Sequence, residues 1–413
     1  MYKESFYNIE VKDNDELLIF NSISGGLVSL DEKFQKILQD LNSEENDEEC
    51  VKLLLENGFI VEEEVDELNK FLVAHNIQKY DNNSLSLTIA LTLSCNMNCK
   101  YCFEDKKNLN FDNNLEEKLI KFIDRNIKYG GNLSICWFGG EPLLQKDVIF
   151  RLSDKIKELC QEKKINYQAD IVTNGVLLTK EVAKALKSCN VKFAQITIDG
   201  LKEIHDRRRT LKNGKSSFDI IIKNISDIQE FFKVELRINI DKENINHIKE
   251  LVNYLNLQNW SENVNYYFAP IKETEEYEKE KCVSNTEVKK LEINLLGSET
   301  HLFKPALTKC SALRYNSFFV NANGDLYKCP NQLNDESNRV ATIDDDTILT
   351  DKHSEWLINN DIPNKCTRCK ILPVCHGGCP KTYSEKNRFK CQYEDINSFK
   401  ELILLYYKNL SSI

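Results

Sequence analysis

The sequence is poor in what marks fibrous, disordered or membrane-spanning chains. Its 413 residues hold only 14 glycines and 7 prolines, which excludes collagen-like and low-complexity chains, while 41% hydrophobic and 29% charged residues leave material for a sizeable core. No apolar run approaches the ~20 residues that cross a bilayer. The opening MYKESFYNIEVKDNDELL is acidic where a secretory signal is basic and then apolar. A cytoplasmic protein without a membrane partner is therefore expected. An excess of positive charge is also missing: 55 Lys plus Arg face 65 Asp plus Glu, a formal charge of −10, so no basic field exists to draw in nucleic acid. Length alone predicts at least two domains.

Cysteine is the exception to this poverty. Fifteen cysteines in a chain expected to stay reduced point to metal or catalysis before disulfides. Cys50, Cys160 and Cys189 fall on helical apolar faces, and Cys136 falls inside a strand pattern, so these four read as core.

Three stretches divide the chain. Residues 1–83 contain ELLIFNSISGGLVSL, two apolar runs around Ser24-Gly25-Gly26 that predict a hairpin. Phe34, Ile37, Leu38 and Leu41, then Val51, Leu54 and Leu55, repeat at helical spacing before a strand at FIVEEE. This order predicts a winged-helix-like α+β module, closed by the polar run Tyr80-Asp81-Asn82-Asn83. From residue 84 to 300 strands and helices alternate. Leu85, Leu87, Ile89, Leu91 and Leu93 open the series, and LSICWF, YQADIVT, VKFAQITID, VELRINI and VNYYFAP continue it between helices expected over 115–129, 146–162, 179–189, 218–231 and 246–256. Six such repeats predict parallel βα units and a partial (β/α)6 barrel of the α/β class. Over 301–413 periodicity fades and seven cysteines crowd between 310 and 391, so this third segment is expected to need metal for its fold.

Cys95, Cys99 and Cys102 lie in SCNMNCKYCFE, directly after the first barrel strand, where loops at strand C-termini form active sites. Three thiolates on one tight loop can hold three irons of a 4Fe-4S cluster and leave the fourth open. The alternatives are zinc or core packing, but no histidine lies nearby to complete a tetrahedron. With Tyr101 before its last cysteine, this C-x3-C-x2-C resembles the signature of the radical S-adenosylmethionine (SAM) superfamily. The resemblance implies that the cluster binds SAM and, once reduced, cleaves it to a deoxyadenosyl radical. It further implies that Tyr101, Gly139-Gly140-Glu141 before Pro142, Thr173-Asn174 before Gly175, and Thr197 and Asp199 in Thr197-Ile198-Asp199-Gly200 contact SAM. Arg209, the end of His205-Asp206-Arg207-Arg208-Arg209, matches an HDxxR pattern and is a candidate for a carboxylate of cofactor or substrate. Outside the resemblance, these strand-end motifs read as turn chemistry and the arginines as a solvated basic turn.

The later cysteines run Cys310, Gly324, Cys329, Cys366-x2-Cys369-x5-Cys375-x3-Cys379 and Cys391. This order resembles the SPASM extension of radical SAM enzymes and implies two auxiliary 4Fe-4S clusters, making three in all. By position Cys366, Cys369, Cys375 and Cys391 would hold the distal one and Cys310, Cys329 and Cys379 the proximal one, with Cys282, a substrate thiol or an open site completing the latter. A zinc ribbon with His376 as an optional ligand is the alternative for the 366–379 knuckle.

The resemblance extends to function. SPASM enzymes that mature ribosomal peptides often carry a winged-helix element that pairs a leader peptide as an extra strand, a mode open to a hairpin edge. The expectation is therefore a peptide maturase acting on a precursor peptide, with a flavodoxin or ferredoxin as reductant and a cysteine thioether crosslink as the favoured product. Sulfatase maturation is the rival, although Pro330 follows Cys329 where that family places an aspartate, and Glu104 ends YCFE where it reads YCFY. A zinc-stabilised binding protein is the non-enzymatic alternative.

Overall fold

The computed structural model describes the chain except residues 14–15, 105–106, 261, 274–276, 298–302, 308–309, 382–390, 394 and 411–413. Two compact units result: Met1–Tyr80 with Asn285–Leu313 and Ile358–Ile413, and Asp81–Ser284 with Arg314–Leu357. The units cut across the linear segments, because early and late stretches pack together.

In the first unit, β1 (Tyr2–Glu4) pairs antiparallel with β5 (Ile60–Glu62). A separate antiparallel meander joins β2 (Asn8–Asp13), β3 (Glu16–Asn21) and β4 (Leu27–Leu30). The hairpin read from Ser24-Gly25-Gly26 is thus β3–β4, with Gly25 at φ 77° in its loop. Strand alternation gives the meander two apolar faces. Ile9, Val11, Leu18 and Phe20 bury against Phe399, Leu402 and Ile403 of helix Ile396–Leu410, while Ile19 and Leu30 bury against Ile37, Cys50 and Leu54 of helices Glu32–Gln39 and Glu48–Glu56. Asp31, Asp47 and Asp66 start three helices by accepting backbone N–H bonds.

The third of these helices, Glu67–Lys79, ends on an ion pair between a buried ammonium and a part-exposed carboxylate. Lys79 Nζ, fully removed from solvent, lies 2.7 Å from Asp361 Oδ2, and His75 Nε2 lies 3.4 Å from Asp361 Oδ1. Burial alone would raise the Asp361 pKa, but the neighbouring His75 ring and the hydrogen bond from Lys79 hold it below the usual carboxylate range. The pair's contribution is therefore complete above the unfolded carboxylate pKa and is lost as pH falls through the lower folded value.

The second unit is the barrel. β6 (Ser84–Ala90), β7 (Asn132–Phe138), β8 (Asn166–Thr173), β9 (Val191–Thr197), β10 (Lys233–Ile240) and β11 (Val264–Pro270) run parallel in the order of the sequence. Helices Asn113–Asn126, Lys146–Glu162, Lys180–Ser188, Phe218–Ile228 and Ile248–Asn256 connect them, the right rhythm for βα units. Along each strand buried residues alternate with half-buried ones: Leu85, Leu87 and Ile89 on β6, Val234, Leu236 and Ile238 on β10. The α/β partial (β/α)6 architecture read from the sequence is the observed one.

Several details differ from the sequence reading, and the helix expected over 218–231 ends at Ile228. The first strand stops at Ala90, and Leu91 and Leu93 continue its alternation as loop. The first barrel helix ends at Asn126 rather than 129, where Ile127 turns extended. The sheet also grows beyond six strands: β12 (Ser317–Val320) joins β6 in parallel, followed by antiparallel β13 (Asp325–Tyr327) and β14 (Ala341–Thr342). Gly324 supplies the β12–β13 turn at φ 88°, where a Cβ would press on Leu115 and Ile343. No helix of the described residues is long and apolar enough to cross a membrane.

Asp361→Asn removes the part-exposed carboxylate facing the buried Lys79 ammonium and is expected to destabilise the protein by about 1 kcal/mol in urea denaturation, solvent screening at the exposed carboxylate reducing the effect, with part regained in a Lys79→Met, Asp361→Asn double variant. Unchanged stability in the single variant would show that the pair carries no weight.

Candidate active site at the strand ends

The loop bearing Cys95, Cys99 and Cys102 leaves β6 and is fastened at once to the end of β7. Gly140 N donates to Thr92 O and Glu141 N to Ser94 O, both at 2.9 Å. This approach demands glycine twice. A Cβ at Gly139, whose φ is 124°, would lie 2.2 Å from Thr92 O, and one at Gly140 would lie 2.4 Å from Ser94 O.

Glu141 then locks β7 to β8 from a fully buried position. Its carboxylate accepts from Thr173 Oγ1 at 2.7 Å, Asn174 N at 2.8 Å and Leu143 N at 3.1 Å. Burial raises its pKa against the pull of these bonds. Asn174 completes the tie, donating through Nδ2 to Asn96 Oδ1 at 2.6 Å and toward Cys95 Sγ at 3.9 Å. Gly139, Gly140, Glu141, Thr173 and Asn174 are thus brought together around the cysteine loop.

A second network holds the loop's other end. The Tyr101 hydroxyl donates to Asp199 and accepts from Arg209 Nη1 at 2.8 Å and Asn239 Nδ2 at 3.4 Å. Beneath it lies Arg208, buried, with Nη1 2.8 Å from Asp241 and 3.1 Å from Glu243, Nε 3.7 Å from Asp199, and its guanidinium 5.4 Å over the Tyr101 ring. Tyr277 donates to Asp241. Burial pushes the Tyr101 pKa well up, so the phenol stays protonated and can donate. Thr197, buried at the end of β9, makes no side-chain hydrogen bond among the described residues.

The HDxxR run divides by role. His205 Nδ1 accepts from Asp199 N at 3.3 Å; burial first, then Arg209, lowers its pKa to about 3, so it is neutral. Asp206 accepts from Ser216 Oγ, Ser217 N and Phe218 N and so starts the next helix. Arg207 pairs with Glu243. Arg209 alone points to the cysteines: buried, it makes no ion pair and leaves Nε unpartnered among the described residues. Burial works against its charge, yet Cys99, Tyr101 and Asp199 keep it protonated.

Sequence reading missed Arg208, Asn239, Asp241 and Tyr277 as members. A strand-end rule applied to VELRINID would have flagged Asn239 and Asp241, whereas nothing local marks Tyr277.

Among the later cysteines, Cys366, Cys369, Cys375 and Cys391 share the first unit. Cys375 is buried in the meander's core with Cys369 and Cys391 packed against the same cluster. Burial first, then Cys375, Cys369 and Cys391, pushes the Cys366 thiol up to about 11. His376, Gly377 and Gly378 at φ 53°, 77° and 90° turn the chain after Cys375. Cys310 and Cys379 also belong to this unit and Cys329 to the barrel unit. Cys282, in the barrel unit, is half-buried with its thiol toward Glu278 O at 3.7 Å.

These donors fit iron–sulfur clusters by their chemistry. Burial above all pushes the Cys95 thiol up to about 11, so a metal must displace its proton, and the unpaired Arg209 guanidinium suits an anionic neighbour. No three His, Cys, Asp or Glu groups among the described residues converge on one metal ion. In a 4Fe-4S cluster each thiolate takes its own iron, so single-point convergence is not required.

Residues 89–255 match the family model of the radical SAM superfamily, so this part of the chain is a radical SAM domain. The superfamily implies SAM and a 4Fe-4S cluster. The chain is 29% identical over 188 residues to Fe-coproporphyrin III synthase of Methanosarcina barkeri, covering 45% of each chain. It is 29% identical over 262 residues to the radical SAM cyclopropyl synthase TigE of Paramaledivibacter caminithermalis, 54% of each. The chain thus spans about half the length of these two relatives. A cysteine-type anaerobic sulfatase-maturating enzyme of Clostridium novyi is 26% identical over 338 residues, 72% of this chain and 88% of that one. Of solved structures, anSMEcpe with bound AdoMet and Cp18Cys peptide has TM-score 0.60 at 20% identity, covering 80% of this chain and 98% of the other. Streptococcus suis SuiB bound to precursor peptide SuiA has TM-score 0.54 at 18% identity, covering 94% and 97%. Both show the fold.

Gly140→Ala forces a Cβ into Ser94 O and is expected to loosen the cysteine loop. Reconstituted protein should keep its secondary structure by circular dichroism and lose about four irons per chain, the content of one 4Fe-4S cluster. Full iron content would contradict the need for this close approach.

Proposed function

We propose that this chain is a radical SAM peptide maturase that crosslinks a cysteine-containing precursor peptide, with a thioether as product. The observation that carries the reading is the Cys95–Cys102 loop, pinned by Glu141 and Tyr101 across the C-terminal ends of six parallel strands, in a chain that also gathers Cys366, Cys369, Cys375 and Cys391. The fold supports a peptide substrate. SuiB, whose structure holds a precursor peptide, aligns over 94% of this chain, a span that must include most of residues 1–80. Among the described residues β2 and β4 are the outer strands of the meander, on whose edges a leader segment could pair.

Cys95, Cys99 and Cys102 would hold the cluster that binds SAM, and the later cysteines two auxiliary clusters. When bound there, SAM and a reduced cluster would supply radical chemistry able to remove a hydrogen atom from the substrate. The chain's own residues position and shield. Glu141, fully buried and three times hydrogen-bonded, fixes the seam between β7 and β8 and offers negative charge to an ammonium group. Arg209 offers an unpaired guanidinium to a carboxylate. Tyr101, held by Asp199 and Arg209, sets the angle at which the cysteine loop crosses the barrel. Cytoplasmic location and an iron–sulfur or flavin protein as electron donor belong to the same proposal.

Sulfatase-type maturation is the second reading, favoured by the 26% identity over 338 residues to the Clostridium novyi enzyme. Mass spectrometry separates the two when the enzyme is co-expressed with a short cysteine-containing peptide encoded beside it. A thioether removes two hydrogens, retains sulfur and blocks alkylation of the cysteine. Loss of sulfur with a new aldehyde would instead establish formylglycine, and an intact thiol in a modified peptide would contradict the thioether.

A further inference from the structure

The inner face of the barrel carries a charge that neither network above uses. Arg237 sits on β10 between Leu236 and Ile238, which are buried, and is itself half-buried on the opposite face of the strand, the face of Asn239. Its Nε donates to Asn239 Oδ1 at 2.8 Å and its Nη1 to the Tyr267 hydroxyl at 3.1 Å. Tyr267, its register partner on β11, donates onward to Gln195 Oε1 on β9 at 3.0 Å. Three adjacent strands therefore hold one guanidinium still, and every partner is neutral.

A guanidinium has five N–H donors, and these bonds engage only two. Among the described residues no carboxylate lies within ion-pair distance of Arg237, although Glu235, on the same face, is near enough to raise the Tyr267 pKa. Holding Tyr267 alone would need a single neutral donor. A half-buried, immobilised, unpaired guanidinium is a costly arrangement that an incoming anion would complete, and its planar fork matches a carboxylate. Its place is informative as well: Asn239, which fixes Nε, reaches Tyr101 of the cysteine loop at 3.4 Å.

We propose that Arg237, braced by Asn239 and Tyr267, is a carboxylate-binding position on the inner face of the barrel. The inference rests on the reading that the strand ends house the reaction. The carboxylate can be that of SAM or that of an acidic residue or chain end of a peptide substrate.

Phenylglyoxal labelling of the reconstituted holoenzyme, with modified arginines mapped by mass spectrometry, tests it. Arg237 should be labelled in the unliganded enzyme. N-acetylglutamate should then protect it at a concentration about tenfold below that needed for N-acetylglutamine, the ratio expected for one charge-assisted contact. Protection by SAM but not by decarboxylated SAM assigns the position to the cofactor's carboxylate. Protection by N-acetylglutamate with none by SAM assigns it to the substrate. Equal labelling in all samples, or equal protection by the acid and its amide, overturns the proposal. Deoxyadenosine is measured in the SAM-containing sample after reduction. Its formation without selective protection removes the subsite and leaves the enzyme reading intact, whereas its absence counts against that reading itself.

Discussion

The site depends on one backbone seam, the approach of Gly139–Glu141 to Thr92–Ser94. Two interstrand hydrogen bonds bring the chain leaving β6 against the chain leaving β7 so closely that no side chain fits at either glycine. Glu141 turns the seam into a corner by reaching β8, and Asn174 returns from β8 to the cysteine loop. The loop's position is thus set by rigid strands rather than by its own sequence, which is what a site needs if it must hold reacting groups to within a fraction of an ångström.

Buried charge does the corresponding work at the far end of the loop. Arg208 is surrounded by Asp199, Asp241 and Glu243, and stacks beneath Tyr101. Breaking the Arg208–Asp199–Asp241 part of this network is costly because those three groups would be left charged in a dry environment, whereas Glu243 reaches solvent. Arg209, next in sequence, has no carboxylate of its own among the described residues. Adjacent arginines with opposite fates divide the labour, one structural and one available to an anion.

Much of this was legible in the sequence, for identifiable reasons. Parallel strands buried on one face announce themselves by period, so Leu85-x-Leu87-x-Ile89 and Val234-x-Leu236-x-Ile238 placed the barrel. Glycines that must accept close backbone contact are written into the chain, so Gly139-Gly140 was visible, although its immediate cause is the seam. What stayed hidden depends on distant pairing. β12 adds to β6 across more than two hundred residues, and nothing local in SFFV specifies a parallel partner. Tyr277 and Asp241 meet through the fold alone. Leu91 and Leu93 extended the strand pattern into a loop because burial continues past the last ladder bond.

The central claim is that the Cys95 loop makes this chain a SAM-cleaving iron–sulfur enzyme. The most direct measurement is anaerobic incubation of reconstituted protein with dithionite and SAM, reading deoxyadenosine by chromatography beside iron per chain, for wild type and Cys95→Ala. The account predicts deoxyadenosine from wild type, none from the variant, and roughly twelve irons in wild type against about eight in the variant if auxiliary clusters survive. Zinc in place of iron with no cleavage, or cleavage undiminished by Cys95→Ala, would contradict it.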